Sequence, residues 1–129
     1  DARMYALAKF FFENRKFTQD FGWQQNGIFA AMVGDREAAM ADLRSRLPAR
    51  YRDSWFPAFW RANFDWAPDQ DHGSCLMLTL QNMMLLCRDD ETVSFPVCPS
   101  HWTVHFKFHV PGGRVVEGRR QGQQEDSSH

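Results

Sequence analysis

Residues 23–48, WQQNGIFAAMVGDREAAMADLRSRLP, read as two helices joined by a tight turn. Ile28, Ala31 and Met32 form a packing stripe between Trp23 and Val33, and Gly34 follows, a residue that tolerates the left-handed backbone of a helix end. Asp35 restarts the chain at once. Arg36 to Leu47 then carries Ala39, Leu43 and Leu47 on one side, and Pro48 forbids continuation. A connection this short makes the two helices antiparallel neighbours.

Outward from this pair, Asp1 can cap a first helix running to about Asn14, with Met4, Leu7, Ala8 and Phe11 as its buried face. Downstream, Gly73 to Cys87 reads as a fourth helix with a wide apolar face of Leu76, Leu80, Met83, Met84 and Cys87. Strand patterns follow Asp90. Thr92 to Val97 is β-branched and aromatic. Trp102 to Val110 alternates, with Trp102, Val104, Phe106, Phe108 and Val110 on one face and Thr103, His105, Lys107 and His109 on the other. Pro111-Gly112-Gly113 is a turn, and Val115-Val116 marks a returning strand. The expectation is a mainly α chain of about four helices followed by a small antiparallel β-sheet. Residues 1–90 are helical, 91–120 β-rich, and 121–129 a disordered polar tail.

Composition limits the function classes. The 129 residues carry 15 basic and 16 acidic side chains, a balance of −1, with no basic footprint for nucleic acid. No window approaches the roughly 18 consecutive apolar residues of a membrane span. Cys75, Cys87 and Cys98 match neither a zinc ligand set nor a dense disulfide framework, and each reads as a small buried hydrophobe. His101, His105 and His109 lie along a strand pattern that sets the outer pair about 27 Å apart, so they cannot share one metal. The chain opens on Asp1 without the pattern of a secretion signal, as expected of a processed or partial product.

The chemistry is concentrated between the third and fourth helices. Aromatic residues make up 15% of the chain, and seven of the nineteen fall between Tyr51 and Trp66, a proline-broken stretch read as a long ordered loop. It runs into Asp65-Trp66-Ala67-Pro68-Asp69-Gln70-Asp71-His72-Gly73, three carboxylates and an imidazole just before a helix. Glycoside hydrolysis needs carboxyl groups to protonate a leaving oxygen and to activate water, beside aromatic faces that stack on sugar C–H surfaces. The simpler roles are helix capping for Asp69 or Asp71 and packing for most of Trp55, Phe56, Phe59, Trp60, Phe64 and Trp66.

The order of several motifs carries a resemblance. Gly22-Trp23 and an alanine-rich helix, Gly34-Asp35, and a second Ala/Leu helix are followed by Phe56-Pro57-Ala58-Phe59-Trp60 and Asn63-Phe64-Asp65-Trp66. Pro68-Asp69-Gln70-Asp71-His72-Gly73, Leu80-Gln81-Asn82-Met83-Met84-Leu85, Phe95-Pro96-Val97-Cys98-Pro99, Trp102 and Phe106-Lys107-Phe108-His109 come next. Over about three quarters of its length the chain resembles the C-terminal part of glycoside hydrolase family 95 catalytic domains, relatives of α-L-fucosidases, and their large bacterial kin.

The resemblance implies the closing portion of an (α/α)6 barrel leading into a β-rich domain, and inverting hydrolysis of a fucoside-like or related glycoside. Asp69 falls on the family's aspartate that supports the water-activating asparagines. Trp23, Trp60, Phe64, Trp66, Asp71 and His72 are the implied substrate contacts. Gln70, Asp71 and His72 stand where the fucosidases carry Gly, Asn and Phe. The family's general acid lies upstream of everything matched, so this chain is expected to be inactive alone and to need the missing part of the barrel. The apolar faces of the first and fourth helices would then be left exposed. No cofactor or metal is implied. The partner is an oligosaccharide or glycoside, not nucleic acid or membrane, and the compartment suggested is periplasmic or extracellular. The alternative is a non-catalytic carbohydrate-binding or interaction module using Trp60, Phe64 and Trp66.

Overall fold

The computed structural model describes residues 2–18, 23–47, 71–88 and 91–123. Within them α1 spans Ala2–Glu13, α2 Asn26–Met32, α3 Arg36–Arg46 and α4 Asp71–Met84. The strands β1 (Leu85–Arg88), β2 (Glu91–Ser94), β3 (Val104–Val110) and β4 (Arg114–Arg120) form two antiparallel pairs, β1 with β2 and β3 with β4. The architecture is mainly α with small antiparallel sheets.

The turn between α2 and α3 forms as its residues dictate. Gly34 takes φ 79°, open to glycine at no steric cost, and its N–H reaches Ala31 O at 3.2 Å. The Asp35 carboxylate accepts from the Ala38 N–H at 2.9 Å and caps α3. Helix α2 packs on α3 and α4, and Ala30, Ala31, Val33, Ala39, Met40, Leu43 and Met83 form the helical core together with Phe12 and Val97.

Four expectations for the helices need correction. In α1 the side chain turned inward is Phe12, 7% exposed, whereas Phe11 is 63% exposed and Met4 and Leu7 also face outward. Phe12 reaches the helical core and the stripe one residue earlier does not. Helix α2 begins at Asn26 rather than Trp23, and Met32 is exposed. Leu47, one residue past α3, is exposed as well.

The fourth correction concerns α4, which stops at Met84. Leu85 to Arg88 leaves the helix to pair with Glu91–Ser94 in the register Leu85↔Ser94 to Arg88↔Glu91, where β-branched Thr92 and Val93 suit a pleated ladder. The Phe95 N–H bonds Met84 O at 2.7 Å and closes that pairing. Cys87 is therefore an exposed strand residue and not part of a helical core. The buried stripe of α4 is Cys75, Thr79 and Met83, with Leu76 and Leu80 partly buried beside it.

The β3 alternation holds, with Phe106 and Val110 buried and His105, Lys107 and His109 exposed. Leu85, Phe106 and Val110 make a second small core joined by Phe95, Phe108 and Val116. The 95–103 segment ties the two cores together. Val97 is buried in the helical core, Trp102 packs against it, and Arg36 Nε donates to Val97 O at 3.2 Å. Phe95 takes φ 56°, a left-handed conformation that costs a bulky residue about 1–3 kcal/mol. Its ring offsets this by packing edge-on to Phe106 at 5.3 Å and beneath the Arg120 guanidinium at 4.8 Å.

Candidate functional site

The α2–α3–α4 unit encloses a polar cluster. Asp42 and Arg46, one turn apart on α3, form a buried ion pair with Nε to Oδ2 at 2.9 Å. The Arg46 Nη2 donates to the Gln24 carbonyl, which ties the end of α3 to the residues preceding α2. Thr79 lies on the other side and donates its hydroxyl to Cys75 O at 2.8 Å. Gly27 leaves room for these groups, since a Cβ there would stand 2.3 Å from Asp42 Oδ2 and 2.7 Å from Thr79 Oγ1.

Cys75 reports the charges around the cluster. Burial pushes its thiol pKa up, the Arg46 guanidinium pulls it down, and Asp71 and Asp42 push it up further. Asp71 is thus within electrostatic reach of the same thiol as Arg46. It sits in the first turn of α4, exposed, where a carboxylate is favoured by the helix dipole. This is two residues earlier than the helix start read from the sequence, so Asp71 lies inside the helix and not before it.

Trp23 immediately precedes Gln24 and is 50% exposed. Arg46 thus binds the residue next to Trp23, and it acts on the same Cys75 thiol as Asp71 does. Asp69, Trp60, Phe64 and Trp66 lie outside the described residues. His72 belongs to α4 by its backbone, and its side chain is likewise outside the description.

The sequence pattern does not distinguish Asp42, Arg46 or Thr79 as buried polar residues. The available signal was the Asp-x-x-x-Arg spacing on α3, which on its own is indistinguishable from a solvated surface pair. His105 Nε2 meets Glu117 Oε1 across the β3–β4 pair at 2.8 Å, and the His101 ring stands edge-on to Trp102. Among the described residues no group of three or more His, Cys, Asp or Glu side chains could hold a metal ion, and no helix is long and apolar enough to cross a membrane.

No protein-family model, curated protein or solved structure matches this chain.

Proposed function

We propose that the chain is the closing part of a family-95-like glycoside hydrolase, an (α/α)6 barrel, and contributes one wall of its sugar site. The observation that carries this reading is the exposed Asp71 carboxylate in the first turn of α4, two residues after Asp69 and acting on the same thiol as Arg46, which in turn binds the residue next to Trp23. An indole half open to solvent and a carboxylate at a helix start match what stacking on a pyranose and bonding its hydroxyls require. In this role Trp23, Asp71 and His72, with Trp60, Phe64 and Trp66, bind the substrate. Asp69 supports the water, and the general acid comes from elsewhere in the barrel.

The test is calorimetric titration of the chain with oligosaccharides, beside an assay with aryl fucosides and galactosides. Expected are millimolar binding weakened about tenfold in Trp23→Ala and no hydrolysis by the chain alone. Hydrolysis that persists unchanged in Asp69→Ala would sink the catalytic reading. Sugar binding that survives in Trp23→Ala and vanishes in Trp66→Ala, with no turnover under any condition, favours the non-catalytic carbohydrate-binding module.

A further inference from the structure

Helices α1 and α2 run antiparallel. The Tyr5 hydroxyl donates to Val33 O at 2.5 Å beyond the end of α2, and Arg15 Nε donates to Asn26 Oδ1 at 2.9 Å at its start. Between them lies an open groove of about 580 Å³ walled by Tyr5, Phe11, Phe12, Phe29 and Met32. Among the described residues that line it, the charged ones are two arginines. The Arg15 guanidinium stacks 3.6 Å over the Phe12 ring, and that of Arg88 lies 5.5 Å from the Tyr5 ring. Tyr5 and Phe12 are seven residues apart on one helix, two turns and about 10 Å along the axis on nearly the same face.

The two guanidinia therefore stand at opposite ends of an aromatic trough. Among the described residues neither is paired with a carboxylate. Arg15 uses Nε toward Asn26 and Nη1 toward the Phe12 carbonyl, and Arg88 uses Nη2 in a long bond to Met32 O. The remaining N–H donors form a forked, cationic edge suited to carboxylates. The apolar surface also continues past the groove onto Met4 and Leu7, further than a small ligand would cover and as a helix laid lengthwise would need.

We infer that this groove docks an amphipathic helix of a partner protein whose two carboxylates, seven residues apart, flank an apolar patch. A helix repeats the same face every seven residues, so its acids meet Arg15 and Arg88 while apolar side chains at the third and fourth positions between them enter the aromatic trough. The inference goes beyond the glycosidase reading and uses none of the residues at the α4 end, so either can fail alone.

The experiment titrates the 129-residue chain with a synthetic helical peptide carrying two Glu seven positions apart, with Leu and Phe between them. Low-micromolar binding is expected, with the Phe29 and Met32 resonances shifting in NMR. Arg88→Gln weakens it about fivefold and Arg88→Lys restores part of the loss. A peptide with its two Glu five positions apart, which turns the second acid by about 140° away, binds no better than the Gln–Gln peptide. Arg88 is exposed, so its variants keep the test valid even if Arg15→Gln, which loses the Asn26 bond, fails to fold. Equal affinity for the Glu and Gln peptides overturns the inference, as does binding unchanged in Arg88→Gln. So does a dimer of the chain that excludes the peptide and is dissolved by Phe11→Lys, because a second copy is then the occupant.

Discussion

Gly27 is held by what faces it. A methyl group at this position meets the Asp42 carboxylate, which cannot retreat without breaking its bond to Arg46, and the Thr79 hydroxyl. Gly27→Ala is expected to lower the urea-unfolding free energy by about 1–3 kcal/mol, although alanine is the better helix former. The ion pair itself responds asymmetrically. Arg46→Met leaves a buried carboxylate without its cation and should cost about 3–5 kcal/mol, while the double change Arg46→Met with Asp42→Leu recovers much of that loss. Chemical denaturation of the four proteins forms a double-mutant cycle, and simple additivity of the two single changes would refute the account.

Elements were legible where a local pattern and the tertiary demand coincide. The Gly34-Asp35 turn, the Ala39/Leu43 side of α3 and the β3 alternation all carry their signal within a few residues, and all three formed as read. The failures share another cause. Phe10, Phe11 and Phe12 are three equivalent rings in a row, and only their distance from the core decides which one is buried. Leu85-Leu86-Cys87 continues a helical period, and pairing with Thr92 and Val93 overrides it. The Asp42–Arg46 pair reads as surface charge until α2 and α4 cover it. Of the candidate site, Asp71 lies within the first turn of α4 and shares the Cys75 thiol with Arg46, a relation that no sequence spacing encodes.

The β3–β4 pair carries a charge device that was not legible either. The Glu117 pKa is lowered by hydrogen bonds from His105 and from Arg119, at 2.8 Å and 3.2 Å. A carboxylate whose folded pKa is depressed contributes stability above its unfolded value and loses it as pH falls through the folded one. The thermal midpoints of the parent and Glu117→Gln should therefore differ slightly at neutral pH and converge below the ordinary carboxylate value of 4.5. A gap that widens on acidification would contradict this sign.

At the scale of the whole molecule, two small cores depend on one irregular segment. Val97 is buried among helical residues while Phe95, two positions earlier, packs with Phe106 of the β core. Cys98 and the Pro99 carbonyl both receive the Arg120 guanidinium. Tertiary coupling of this kind makes unfolding a single transition. Val97→Ala is expected to cost about 2 kcal/mol and to shift tryptophan fluorescence and far-UV circular dichroism by the same amount. Separate midpoints for the two signals would show the cores to be independent.

The three thiols turn this architecture into a clock. Cys75 and Cys98 are buried, and desolvation raises the pKa of both thiols, against which the Arg120 guanidinium acts in the case of Cys98. Cys87 is exposed on β1. An aromatic disulfide reagent should therefore consume one equivalent per chain at once and the other two only as fast as the molecule opens. With reagent in excess, the slow phase then reads out the opening of the chain already capped at Cys87, one buried thiol lying on the inner face of α4 and the other at the seam between the helical and β layers.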